Sequence, residues 1–123
     1  MTKRVLIIED NDQNLYLLTF LLEKNGYQVD SALEGPTGLE KAAASPPDLV
    51  LLDIQLPLMD GYAVARALKE IPSMARVPIV AVTSYAMPGD REKAMESGCT
   101  GYIEKPINPA TFLAEMEAHF RTD

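Results

Sequence analysis

Asp48-Leu49-Val50-Leu51-Leu52-Asp53 is the stretch that decides the fold. Four consecutive apolar residues between two aspartates, entered from Ser45-Pro46-Pro47, predict a short strand covered on both faces, since a half-exposed strand would alternate. Working outward, Val5-Leu6-Ile7-Ile8 and Pro78-Ile79-Val80-Ala81-Val82 repeat the pattern. Helical patterns lie between these blocks. One leucine-rich run covers 13–25 and is closed by Gly26, the usual residue just past a helix end. Others cover 36–44, 60–71 with Asp60 as cap, and 89–97 before Gly98. Asn108-Pro109 predicts the N-cap and first position of a last helix, with Phe112, Leu113, Met116 and Phe120 on one face. Residues 27–32 alternate loosely as a strand, and Tyr102-Ile103 is a short fifth. Five strand–helix units with short connections define an α/β fold, a doubly wound five-stranded parallel sheet with helices on both faces. The second strand, with Gln28, Asp30 and Ser31, and the short fifth are too polar or too brief for the interior. Right-handed crossovers then give the order 2-1-3-4-5.

The 123 residues suit one domain, read as 1–123, with no repeat, linker or room for a second. Eleven basic residues against eighteen acidic give a net charge of −7, which disfavours nucleic acid and anionic membrane as partners. A hydrophobic content of 47% suits a packed globule rather than a disordered chain. Cys99 is the single cysteine, which excludes an intrachain disulfide and a multi-cysteine zinc site. It is expected to pack as a small buried hydrophobe. No apolar run approaches the ~20 residues of a membrane span, so a cytoplasmic protein is expected.

In such a sheet, ligands bind beyond the carboxyl ends of the strands. Those ends carry Glu9 and Asp10, Asp53, Thr83 and Lys105. Carboxylates converging on one crevice repel each other and resist ionising without a counter-charge. Few hard oxygen donors, with room for water and a phosphate oxygen, suit Mg²⁺, with Mn²⁺ as the alternative. Lys105 adds a point charge and Thr83 a hydroxyl, both suited to phosphoryl oxygens. Together they form a phosphoryl-transfer site. Each residue alone has a plainer reading: a turn former, a solvated acidic turn, a strand-end hydroxyl, a surface lysine. Their coincidence at one sheet edge favours the site.

The stretches Val5-Leu6-Ile7-Ile8-Glu9-Asp10-Asn11, Asp53-Ile54-Gln55-Leu56-Pro57-Leu58-Met59-Asp60-Gly61, Val82-Thr83-Ser84 and Lys105-Pro106 resemble the receiver domain of two-component response regulators across essentially the whole chain. The resemblance implies a flavodoxin-like fold in which Asp53 accepts a phosphoryl group from the phosphohistidine of a sensor histidine kinase or histidine phosphotransfer protein. It implies Mg²⁺ held by Asp10, Asp53 and the Gln55 main-chain carbonyl, with Glu9 acting through water. Thr83 and Lys105 would hold the phosphoryl oxygens. The Lys105–Pro106 bond would be cis. Tyr102 falls at the family's switch position, whose ring moves inward with Thr83; packing on the last helix is its alternative. The segment 86–92 resembles receivers of hybrid kinases and phosphorelays, except that Thr100-Gly101 replaces an acidic pair found in many of them. Gln55 and Tyr85, two residues after Asp53 and Thr83, would tune phosphoryl lifetime, the amide by orienting water and the ring by excluding it. His119 is expected at the surface, not as a phosphodonor.

The leading function is a single-domain switch that reads out through a downstream protein target and catalyses only its own phosphorylation and dephosphorylation. A receiver excised from a hybrid kinase or larger regulator is the alternative. An aspartate-nucleophile hydrolase would resemble a motif with a second aspartate two residues after the first, where Gln55 stands here.

Overall fold

The computed structural model describes residues 2–84 and 88–120. Five parallel strands, β1 (Arg4–Ile8), β2 (Gln28–Ala32), β3 (Leu49–Asp53), β4 (Ile79–Thr83) and β5 (Gly101–Glu104), form one sheet in the order β2-β1-β3-β4-β5. The connecting helices are α1 (Asp12–Lys24), α2 (Gly35–Ala44), α3 (Gly61–Glu70), α4 (Asp90–Glu96) and α5 (Phe112–Glu117). Every residue of β3 and β4 is buried, as is all of β1 beyond Arg4, whereas β2 is mostly half-exposed and β5 has four residues. Polarity and length thus place the edges where the sequence does.

Alternation sends successive side chains of the inner strands into two cores. Val5, Ile7, Leu49, Leu51, Val80 and Val82 meet Leu18 and Leu22 of α1 and Phe112 and Met116 of α5. Leu6, Ile8, Val50, Leu52, Ile79 and Ala81 meet α2, α3 and α4 on the other face. Full burial of such an aliphatic or aromatic side chain stabilises by roughly 1.5–3 kcal/mol. The helices draw unequally on this. α3 buries Gly61, Val64, Ala65 and Leu68, while α4 buries Ala94 alone among the described residues.

The Asp60 side chain accepts the Ala63 amide at 2.9 Å, the cap expected from the sequence, and at the first helix the Asn11 side chain accepts the Asn14 amide, a cap not expected. The last helix departs from expectation. Asn108 caps a turn, its Oδ1 accepting the Ala110 amide and its carbonyl those of Thr111 and Phe112, so regular helix begins only at Phe112. A 3₁₀ turn at Pro72–Met74, not expected from sequence, buries Met74 before β4. Cys99 is buried as anticipated, and burial pushes its thiol up to about 11. His119 is half-buried. Its ring occupies the space where a Cβ on Gly101 would lie, 2.4 Å from Nε2. No helix among the described residues is long and apolar enough to cross a membrane.

Candidate phosphoryl-transfer site

Parallel strands deliver their carboxyl ends to one edge, so residues far apart in sequence meet there. Asp53 closes β3, Thr83 closes β4, Glu9 and Asp10 follow β1, and Lys105 follows β5. Main-chain bonds fix the neighbours: Lys105 donates to the Thr83 carbonyl at 2.7 Å, Ile54 to Val82 at 3.3 Å, and Glu9 to Ala32 at 3.0 Å. The Lys105–Pro106 peptide bond is cis, as the resemblance implies.

Glu9, Asp53 and Thr83 are the functional polar groups that the sheet edge buries, at 1%, 4% and 2% exposure, while Asp10 lies exposed at the mouth. One carboxylate oxygen from each of Glu9, Asp10 and Asp53 lies within 4.8 Å of the others. Lys105 Nζ sits 2.8 Å from Glu9 Oε1 and 3.7 Å from Asp53 Oδ1. Asp53 Oδ1 also accepts the Gln55 amide at 3.0 Å, and Glu9 Oε2 accepts that of Asn11 at 3.2 Å. Glu9 Oε1 takes no well-formed hydrogen bond among the described residues and relies on the ammonium opposite. One lysine does not balance this much negative charge. Burial first, and then the Glu9 carboxylate, push Asp53 up to about 7, against the Gln55 amide and Lys105 pulling it down. The donor set is therefore all oxygen, over-charged and part-exposed, which fits a hard divalent cation.

The loop after β3 is shaped by local geometry. Met59 N–H donates to the Pro57 carbonyl at 2.7 Å, with Leu58 between them at φ 68°, the rare form of the γ-turn. Gly61 then opens α3 against the strand end. A Cβ there would lie 2.4 Å from Ile54 Cα and 2.7 Å from the Asp53 carbonyl oxygen, so no other residue fits without moving the backbone. Ser84 Oγ donates to Gln55 Oε1 at 3.3 Å, tying the two loops that border the site. Tyr102 packs with the core shared by α2, α3 and α4, beneath the Arg91 guanidinium at 6.0 Å. The last helix instead receives Ile103, so the alternative placement of Tyr102 is not adopted. Tyr85 lies outside the described residues.

Sequence reading brought Glu9, Asp10, Asp53, Thr83 and Lys105 to this edge, and the structure gathers them. It did not single out Gly61 or Ser84. For Gly61 the available signal was a glycine directly after a helix-capping aspartate; Ser84 carries none.

The doubly wound sheet carries an acidic, lysine-bridged crevice at its 1–3 switch point, where folds of this class bind their ligands. The sequence matches the family model described as the response regulator receiver domain over residues 5–117. The chain belongs to the response regulator receiver family and so to two-component signalling. It is 40% identical over 119 residues to the polar-differentiation response regulator DivK of Brucella ovis, covering 97% of both chains. The Vibrio cholerae chemotaxis protein CheY4 shares the fold with a TM-score of 0.93 at 26% identity, covering 98% of this chain and 100% of that one. A receiver domain of a Pseudomonas aeruginosa sensor histidine kinase, solved with magnesium coordinated in its active site cleft, matches with a TM-score of 0.89 at 30% identity, over 97% and 98% of the chains.

Proposed function

We propose that Asp53 is the phosphoacceptor of a single receiver unit spanning 1–123, and that its phosphorylation switches a protein-binding surface. The carrying observation is the buried Asp53 carboxylate at a strand end, with Lys105 3.7 Å away and two further carboxylates beside it. The relation to DivK along 97% of both chains supports the single-unit reading. The donor is a phosphohistidine on a sensor histidine kinase or histidine phosphotransfer protein. An Asp53 oxygen attacks phosphorus, the P–N bond breaks, and the imidazole nitrogen leaves with its electron pair. The chain acts on its own side chain and turns over no separate substrate.

Asp10, Asp53 and the Gln55 carbonyl would hold Mg²⁺, with Glu9 through water. When bound, the cation supplies the positive charge that offsets the crowded carboxylates and the incoming phosphoryl oxygens. Lys105 is poised to exchange Asp53 for a phosphoryl oxygen without leaving Glu9, and the Thr83 hydroxyl would bind another. Thr83 moving toward the phosphoryl group opens space for Tyr102, which lies on the same side of the sheet as α4. The output surface is then α4, β5 and α5. Gln55, held by Ser84, borders the path of attacking water, and Tyr85 is the proposed shield.

Incubation with acetyl phosphate and Mg²⁺, followed by intact mass, tests the chemistry. The expected result is a mass gain of one phosphoryl group that Asp53→Asn abolishes. A parent that gains none, or a variant that still gains it, overturns the assignment.

A further inference from the structure

Asp53 is almost wholly buried, so water that reaches a phosphoryl group there must come from the solvent side of the crevice. Gln55 and Ser84 stand exposed on that side, each just past a strand end, Gln55 after β3 and Ser84 after β4. Main-chain bonds fix their positions. The Gln55 amide donates to Asp53 Oδ1 at 3.0 Å, the Ile54 amide to the Val82 carbonyl at 3.3 Å, and the Lys105 amide to the Thr83 carbonyl at 2.7 Å. The loops after β3 and β4 therefore leave the sheet side by side, and Ser84 Oγ donates to Gln55 Oε1 across the gap at 3.3 Å. Gln55 and Thr83, whose hydroxyl would bind the phosphoryl group, line the same groove. A hydroxyl–amide bond between exposed groups contributes little to stability. Its consequence lies in which end of the amide it engages. Oε1 is the one acceptor of that side chain, and Nε2 only donates.

We infer that Ser84 is a positioning residue that lengthens the life of the phosphoryl group by engaging Gln55 Oε1. The inference rests on the proposed function, in which Asp53 carries that group. In hydrolysis a water oxygen attacks phosphorus in line with the bond to Asp53. The Oδ–P bond breaks, and Asp53 leaves as a carboxylate with the electron pair. One water hydrogen stays on the attacking oxygen and the other passes to a phosphoryl oxygen. Attack is easiest when a neighbouring acceptor takes a hydrogen bond from the water and turns its lone pair toward phosphorus. Gln55 carries such an acceptor beside Asp53, and Ser84 draws it toward the loop after β4. What the side chain then offers to water is its N–H donors, which bind the lone pair that would attack. Ser84 thereby holds Gln55 in the orientation that helps hydrolysis least.

The test is phosphorylation of the full chain with acetyl phosphate and Mg²⁺, removal of the donor, and measurement of phosphoryl loss by intact mass. Ser84→Ala should lose the group about three- to tenfold faster than the parent, the effect of one ordinary hydrogen bond. Ser84→Thr keeps the hydroxyl and should restore the parent rate to within about twofold. In a chain that also carries Gln55→Met, Ser84→Ala should change the rate by no more than about twofold, because the two side chains act through one contact. Decay in Ser84→Ala that is slower than the parent's, or within about twofold of it, overturns the inference. So does an acceleration that survives in the Gln55→Met chain, or one that Ser84→Thr shares. A parent that gains no phosphoryl group overturns the proposed function and this inference with it, whereas a parent that gains one and loses it no more slowly than Ser84→Ala overturns the inference alone.

Discussion

The two ends of the sheet treat charge in opposite ways. At the amino-terminal end, charges stay near solvent and are matched. Arg4 N–H donates to Asp48 Oδ2 at 2.8 Å while its guanidinium reaches the Pro46 and Ser45 carbonyls at 3.2 and 3.4 Å. The Tyr27 hydroxyl donates to the Glu117 carboxylate, its ring stacks on Phe120 at 5.9 Å, and Lys3 Nζ lies 4.8 Å over the Phe120 ring. At the carboxyl-terminal end, Glu9 and Asp53 are almost wholly buried, and one ammonium serves both. The first end ties α5 to the sheet. The second carries like-charge repulsion that a structural role would not retain, since buried charges lacking full compensation are costly. The proposed phosphoryl-transfer site lies at the end where the charges are mismatched.

That contrast can be broken most directly with metal. If the acidic end is a cation site, Asp10→Asn should weaken Mg²⁺ binding by about 100-fold and Glu9→Gln by about tenfold, since a group acting through water contributes less. Asp48→Asn, at the other end, should leave it unchanged. Calorimetric titration of Mg²⁺ reads all three, and undiminished affinity in Asp10→Asn removes the assignment.

Stability in the absence of divalent cation sharpens the contrast further. Asp53→Asn removes a repelled charge while Lys105 keeps Glu9 at 2.8 Å, so urea denaturation in chelator should show stabilisation on the order of 1–2 kcal/mol. The pH dependence follows from the same group. Asp53 is raised from 3.8 to about 7 when folded, so the folded chain holds this proton more firmly than the unfolded chain. This group therefore imposes no penalty well below pH 4, an increasing one as pH rises toward 7, and its full penalty above that. The difference between parent and Asp53→Asn should grow across that window and shrink when Mg²⁺ is added. A pH-independent difference would show that repulsion is not its source.

The matched end should respond least. Tyr27→Phe removes one hydroxyl–carboxylate bond near solvent and keeps the stacked ring. It should cost about 1 kcal/mol or less, with no dependence on Mg²⁺. Denaturation midpoints with and without the cation give the answer, and a Mg²⁺-dependent loss would show that the two ends are coupled.

Much of this was legible from one dimension. The continuous apolar runs of the first, third and fourth strands signal burial on both faces, and the polar residues of 28–31 mark an edge; crossover handedness supplies the order. The acidic, hydroxyl and lysine positions at strand ends were legible for the same reason, because parallel strands must end together. The start of α5 was misplaced because Asn108 caps a turn with the same side-chain chemistry it would use on a helix. The seat of the His119 ring against Gly101 was not legible, because it depends on the missing side chain of a residue on another element.

The sequence by itself therefore determined the order of the strands and which functional groups reach their ends. Periodicity and handedness are local properties that each segment carries alone. Only the tertiary structure decided how those groups are balanced: that Lys105 bridges Glu9 and Asp53, that Gly61 must admit a backbone, and that Lys93 lies over the Tyr62 ring. These depend on distances between segments far apart in the chain. Charge repulsion, close approach and cation–π contact change over an ångström or two, a scale at which sequence spacing carries no information.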